Sequence, residues 1–214
     1  MAGALYLRDW LLEARGRPQF FKHQINLGRW PLQPMRWSFA ARGVYAREGM
    51  FKGCKVLDLC CGDGSVSYLF FSDIAGHVDA VDNDPYAIAY ARRYFRSPVI
   101  DYRQVDIING ELPSNGYDFV VWNAAICYFS EADIRRILEK IVAAGKPSLR
   151  LVGMLPRANN WIDHKSEFAD RTAVAGLLEG YFSSVHVREV DEVTGTTFYF
   201  QADAPRSAPT RDAA

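Results

Sequence analysis

Lys55-Val56-Leu57-Asp58-Leu59-Cys60-Cys61-Gly62-Asp63-Gly64 is the stretch on which the reading of this chain turns. A short apolar strand ends at an acidic residue, breaks into a loop with two glycines two positions apart, and runs on into a helical pattern over 65–72. A strand, loop and helix of this kind form a nucleotide-cradling turn. Glycine lacks the Cβ that would hold a ligand away from the backbone, and a helix N-terminus presents unpaired N–H groups. Gly62 and Gly64 are the two positions where the backbone is expected to approach a ligand.

Beyond this turn, apolar runs at 55–60, 77–82, 99–105, 117–123, 149–155, 184–190 and 196–201 alternate with helical patterns at 65–72, 85–95, 131–144 and 166–181. Each helical pattern starts at a serine, a proline or an acidic residue, as helix N-termini prefer. Near-continuous apolar strands such as Phe119-Val120-Val121-Trp122 suit a sheet covered on both faces. Right-handed crossovers then give an α/β fold: a doubly wound, mostly parallel, seven-stranded sheet with helices on both faces. Only 191–195 separate the last two runs, too few residues for a crossover helix, so a C-terminal antiparallel hairpin is expected. The chain divides into an aromatic N-terminal cap or lid over 1–50, a domain over 51–203 and a polar, proline-bearing flexible tail over 204–214.

With 214 residues, 49% of them hydrophobic, the chain is long enough for one good core. Its 25 basic and 25 acidic side chains cancel, which disfavours nucleic acid and anionic lipid as partners. The N-terminus lacks an apolar run of signal-peptide length, and no run reaches the ~18 apolar residues of a membrane span, so a cytoplasmic protein without membrane contact is expected. Cys54, Cys60, Cys61 and Cys127 have neither metal-ligand spacing nor the look of a disulfide framework, and no metal is assigned. Cys60 and Cys61 read as small apolar fillers at a strand end.

A dinucleotide fingerprint needs a third glycine, and in Gly62-Asp63-Gly64-Ser65-Val66-Ser67 that place is a serine. Asp58 and Asp63 beside the loop oppose a pyrophosphate and favour a cationic, adenosine-bearing cofactor. An NAD-dependent reductase is therefore a distant alternative.

At these residues the chain resembles the class I S-adenosylmethionine-dependent methyltransferases, whose first motif is acidic-x-Gly-x-Gly-x-Gly. Asp58, Gly62 and Gly64 match it, and Cys60 stands where the first glycine usually does. The resemblance spans about residues 50 to 202 and continues through Val81-Asp82-Asn83, Val105-Asp106-Ile107 and Trp122-Asn123. It implies S-adenosyl-L-methionine as cofactor and S-adenosyl-L-homocysteine as product. Asp82 would receive the ribose hydroxyls, a charge-assisted pair of hydrogen bonds. Asn83 would lie beside adenine, Asp106 would accept from the adenine amino group, Ile107 would pack on the ring, and Asn123 would stand by the methyl-donor end.

Methyl transfer is an in-line displacement, so the protein mainly aligns the partners and excludes water; a hydroxyl acceptor also needs a base. His164, in the polar loop after the fifth strand, and His23, among Phe20, Phe21 and Trp30, are the candidate catalytic residues. His77 and His186 read as structural. Arg36 or Arg42 would pair with the cofactor's carboxylate or form a surface salt bridge. Ala124 and Ala125 replace the Pro-Pro of the Asn-Pro-Pro-Tyr pattern of enzymes that methylate bases. The expectation is a methyltransferase acting on an oxygen or nitrogen of a small-molecule substrate, with its oligomeric state unassigned. The alternatives are a protein or RNA methyltransferase and a catalytically inactive, cofactor-binding partner subunit.

Overall fold

Seven strands form one sheet in the computed structural model, which describes residues 34–157, 164–192 and 195–206, with side chains from residue 40 onward. The strands are β1 (Lys55–Leu59), β2 (His77–Asp82), β3 (Ile100–Gln104), β4 (Tyr117–Asn123), β5 (Gly145–Pro156), β6 (Phe182–Glu192) and β7 (Gly195–Pro205). Their spatial order is β3-β2-β1-β4-β5-β7-β6. The first five pair in parallel, and β7 runs antiparallel between β5 and β6, as expected for a C-terminal hairpin. The order reverses between β1 and β4, and in open α/β sheets ligands sit outside the C-terminal strand ends at such a switch point.

Helices cover both faces. The helix α1 (Pro34–Arg47), the helix α2 (Pro85–Tyr94) and a π turn over Ser67–Phe71 pack on one face, where Ala46, Ile88, Ala91 and Phe71 meet Val56, Val121 and Val152. The helices α3 (Glu131–Ala144) and α4 (Arg171–Glu179) pack on the other, where Ile134, Leu138, Val174 and Leu178 meet Leu57, Val120, Trp122 and Phe198. Alternation along β4 sends Phe119 and Val121 to the first face and Val120 and Trp122 to the second. Side-chain oxygens cap three helices: Asp84 accepts from Tyr86 N, Ser130 from Asp133 N and Asp170 from Ala173 N.

Three elements differ from the sequence expectation. The helix expected over 65–72 is dominated by one π turn, a wider turn that sets Phe71 into the core and Phe70 against Gly43 of α1. The helix expected over 166–181 begins only at Arg171, where the Asp170 side chain caps it by accepting from Ala173 N. The last strand also runs on past the apolar run expected at 196–201. Ala204 and Pro205 belong to β7, where Pro205 pairs with Phe182 and Ser183 Oγ donates to Ala204 O. In the described end of the expected cap, Tyr45 stacks edge-on against Tyr199 at 4.9 Å and Arg47 donates to Phe70 O at 2.7 Å. No described helix is long and apolar enough to cross a membrane.

Candidate functional site

The loop after β1 is tied together by carboxylates. Asp63 Oδ1 accepts from Ser65 N at 3.0 Å and from Ser65 Oγ at 2.6 Å, closing the turn into the next segment. Gly62 N donates to Asp82 Oδ2 at 2.9 Å, and Asp82 Oδ1 accepts from Asp84 N at 2.9 Å, so the tip of β2 holds the loop from below. Asp58, the acidic end of β1, accepts from Ser67 Oγ and is only 3% exposed. Burial pushes its carboxyl up to about 7, against the pull of the Ser67 hydrogen bond and with a push from Asp82. Burial also raises Asp63 and Asp82. Three buried carboxylates under one loop make a place where a cation is favoured and a pyrophosphate is not.

Two strand tips are held in the left-handed region by residues other than glycine. Cys60 has φ +56°, which explains why glycine suits that motif position, and Ala124, just after β4, has φ +55°. Leu59 and Trp122 are register partners, so these two residues follow neighbouring strands at the switch point. Non-glycine residues held in this conformation are strained, and such strain gathers at functional sites. At the tip of β4 stands Asn123, whose side-chain Oδ1 and Nδ2 are both buried without a hydrogen-bond partner among the described residues. Native proteins leave few buried polar atoms in that state.

Packing also requires glycine at position 64. At φ +78°, a Cβ there would fall 2.5 Å from the Tyr102 ring and 2.8 Å from Ala91 Cβ, so the space it leaves is taken by the protein. Tyr102 OH donates to Gly64 O at 3.1 Å, which fixes the loop on β3.

At the tip of β2, Asn83 is exposed and its carbonyl accepts from Gln104 Nε2 at 3.2 Å. Asp106 is exposed after β3, and it closes its own turn by accepting from Ile108 N and from Asn109 Nδ2, both at 2.9 Å. The Asn109 amide and these backbone N–H groups hold its carboxyl below the usual range. Ile107 is turned into the core with Leu59 and Val81, because Lys140 Nζ pins the carbonyls of Ile107, Ile108 and Gly110. Asp106 and Asn109 are therefore the exposed groups of that turn, not Ile107.

His164 arrives at the same edge of the sheet. Lys165 N and Ser166 N donate to Cys127 O at 2.8 and 3.1 Å, and Ser166 Oγ donates to Phe129 O at 2.7 Å, so the loop after β5 is stapled to the turn after β4. The His164 ring meets Tyr128 edge-on at 5.2 Å. His23 lies outside the described residues. His77 opens β2 at the opposite end of the sheet, 3.2 Å from Asp79, and His186 lies in β6.

The cap expected over 1–50 carried no helix with assigned bounds and gave Arg42 a cofactor carboxylate or a surface salt bridge; its described part is the helix α1, which sets Arg42 among other groups. Arg42 is desolvated between Glu192, Tyr199 and Tyr128; burial lowers its pKa and those groups push it back up. Tyr199 OH donates to Glu192, and Arg188 lies over the Tyr45 ring at 5.0 Å. Only the glycine of Ala41-Arg42-Gly43-Val44 hinted at a close helix approach.

Residues 56–148, which hold Asp58, Asp82, Asp106 and Asn123, match the family model of a methyltransferase domain. Over those residues the chain carries a methyltransferase domain. Over 86 residues it is 36% identical to an uncharacterized methyltransferase of Mycobacterium tuberculosis, a match covering 40% of this chain and 42% of that protein. The match thus spans about two fifths of the length of the curated relatives. Among solved structures, the methyltransferase domain shares its fold with the N-methyltransferase NodS from Bradyrhizobium japonicum in complex with S-adenosylhomocysteine. That likeness has a TM-score of 0.68 at 16% identity, over 87% of this chain and 97% of that one. A SAM-dependent methyltransferase from Aquifex aeolicus gives a TM-score of 0.58 at 21% identity, over 73% of this chain and 85% of that one. The side chains of the methyltransferase domain fit the cofactor: buried carboxylates suit its cationic end, exposed polar groups at the β2 and β3 tips suit a nucleoside, and the Asn123 amide awaits a polar ligand.

Proposed function

We propose that this chain transfers a methyl group from S-adenosyl-L-methionine to an oxygen or nitrogen of a small-molecule acceptor. The observation that carries the reading is the carboxylate-lined loop after β1, beside the tip of β4 where the buried Asn123 amide has no partner among the described residues. Each Asp82 oxygen accepts one backbone N–H and keeps a lone pair for a ribose hydroxyl. Asn83 and Asp106 present polar groups for adenine, and Asp58 acts from behind by holding Ser67 and the loop. When bound, S-adenosylmethionine supplies a methyl group made electrophilic by its sulfonium. His164, fastened beside Tyr128 at the rim, accepts the proton of an acceptor hydroxyl. The helix α1 beside the functional edge and the balanced net charge favour a small acceptor over a nucleic acid. The four cysteines are free, in keeping with a reducing, cytosolic compartment.

Calorimetry with S-adenosylhomocysteine and NAD, followed by transfer of labelled methyl to phenols, alcohols and amines by the isolated chain, tests this. Binding of S-adenosylhomocysteine but not NAD, with turnover of a small acceptor, is expected. Binding of NAD alone overturns the cofactor reading, and cofactor binding without turnover across the acceptors assigns an inactive partner role instead.

A further inference from the structure

We propose that Ser166 is a positioning residue for transfer to a hydroxyl acceptor: its Oγ locks the loop after β5 onto the turn after β4 and so holds His164 where it takes the acceptor's proton. This rests on the reading of His164 as the base given above. Lys165 N and Ser166 N both donate to a single oxygen, Cys127 O, at 2.8 and 3.1 Å. Two donors on one oxygen hold the loop at a point and leave it free to turn about that point. Ser166 Oγ supplies a second anchor, donating at 2.7 Å to Phe129 O farther along the same turn. Held at two separate carbonyls, the loop has one orientation against the turn. Tyr128 sits between those carbonyls in the chain, and it is the residue whose ring meets His164 edge-on at 5.2 Å.

The turn that receives these bonds is itself fixed. Tyr128 N donates to Ala125 O at 3.0 Å and Phe129 N to Ile126 O at 3.1 Å, and Ala124 N ties the start of the turn to Met154 O of β5 at 2.7 Å. The Phe129 ring lies 5.8 Å from that of the wholly buried Trp122. On the loop side, Phe168 is buried in the core cluster against which Phe129 also packs. Ser166 is half-buried, and its hydroxyl is not spent on the helix that follows, because Asp170 caps α4. A base works only within hydrogen-bond reach of the proton it removes, and a misplacement of about 1 Å is costly. An amine acceptor that needs no base is indifferent to such a shift, so Ser166 acts on hydroxyl acceptors alone.

The test measures transfer of labelled methyl to a phenol and to an amine by the full chain, by Ser166→Ala, Ser166→Thr and His164→Gln, and by the double variant Ser166→Ala/His164→Gln. Calorimetry with S-adenosylhomocysteine reports the cofactor site of each. Ser166→Ala is expected to lower kcat on the phenol about 5- to 10-fold, the size of one lost hydrogen bond, and to leave the amine and the S-adenosylhomocysteine affinity within about 2-fold of the parent. Ser166→Thr keeps the hydroxyl donor and should return the phenol rate to within about 2-fold. Added to His164→Gln, which itself slows the phenol, Ser166→Ala should change the rate by less than about 2-fold, because no base is left to position. Equal slowing on both acceptors, full additivity in the double variant, weakened cofactor binding, or no effect of Ser166→Ala overturns the positioning role and leaves His164 as the base. A parent chain that fails to methylate the phenol, or a His164→Gln variant that methylates it at the parent's rate, overturns the base reading and this role with it.

Discussion

Cys60 and Ala124 occupy a backbone conformation that costs a residue with a Cβ about 1–2 kcal/mol each. The motif made Cys60 visible as a departure from glycine, but its cost became apparent only from the φ angle. Glycine at position 60 would relieve the strain while adding disorder to the unfolded chain, so Cys60→Gly is expected to raise stability by about 0.5–1 kcal/mol in urea unfolding. Asp58 gives a pH signature. An ordinary aspartate titrates near 3.9, and burial, opposed by Ser67, raises Asp58 to about 7. The folded state therefore binds this proton more tightly than the unfolded chain does. Its stabilising contribution is complete below about pH 4 and is lost as pH rises through about 7. An asparagine in place of this aspartate keeps an oxygen for Ser67 and carries no charge. The ligand-free Asp58→Asn variant should melt above the parent at pH 8, and the gap should close toward pH 4; a constant gap across that range would contradict the burial account.

At the scale of elements, the two ends of the sheet do different work. The C-terminal tips carry the site, whereas the N-terminal ends are locked by a polar knot. Asp79, wholly buried on β2, accepts from Ser114 Oγ at 2.8 Å and Tyr117 OH at 2.9 Å and faces His77 at 3.2 Å. Burial alone would raise its carboxyl, but these hydrogen bonds hold it below the usual range. Asp79→Ala leaves the Tyr117 and Ser114 hydroxyls without their acceptor and should cost about 2–4 kcal/mol in urea unfolding. S-adenosylhomocysteine affinity of the folded fraction should stay unchanged, because the knot lies at the far end of β2 from Asp82. The strands and the hairpin were legible because their apolar runs and short connection are local patterns. The start of α4 was not, because Ser166 and Asp170 are both acceptable N-caps and only the tertiary structure, which ties Lys165 and Ser166 to Cys127 O and Phe129 O, leaves Asp170 to cap the helix.

For the whole molecule, α1 lies on one face of the sheet beside its functional edge, anchored by Arg47 to the π turn and by Tyr45 to Tyr199 of β7. His164 reaches that edge from the loop after β5. If it takes a proton from the acceptor, His164→Gln should slow transfer to a hydroxyl by about 100-fold and leave transfer to an amine nearly unchanged. Equal loss on both acceptors would assign it to packing against Tyr128. The sequence by itself determined the strand and helix succession, the antiparallel hairpin and the row of residues at the strand tips, because strand periodicity, turn chemistry and helix caps are each written within a few consecutive positions. Only the tertiary structure decided that Gly64 yields its space to Tyr102, that the half-buried Arg42 lies near Glu192 and Tyr199, and that the Asn123 amide has no partner among the described residues. Those facts depend on side chains that meet across strands and helices far apart in the chain, where no local pattern records the contact.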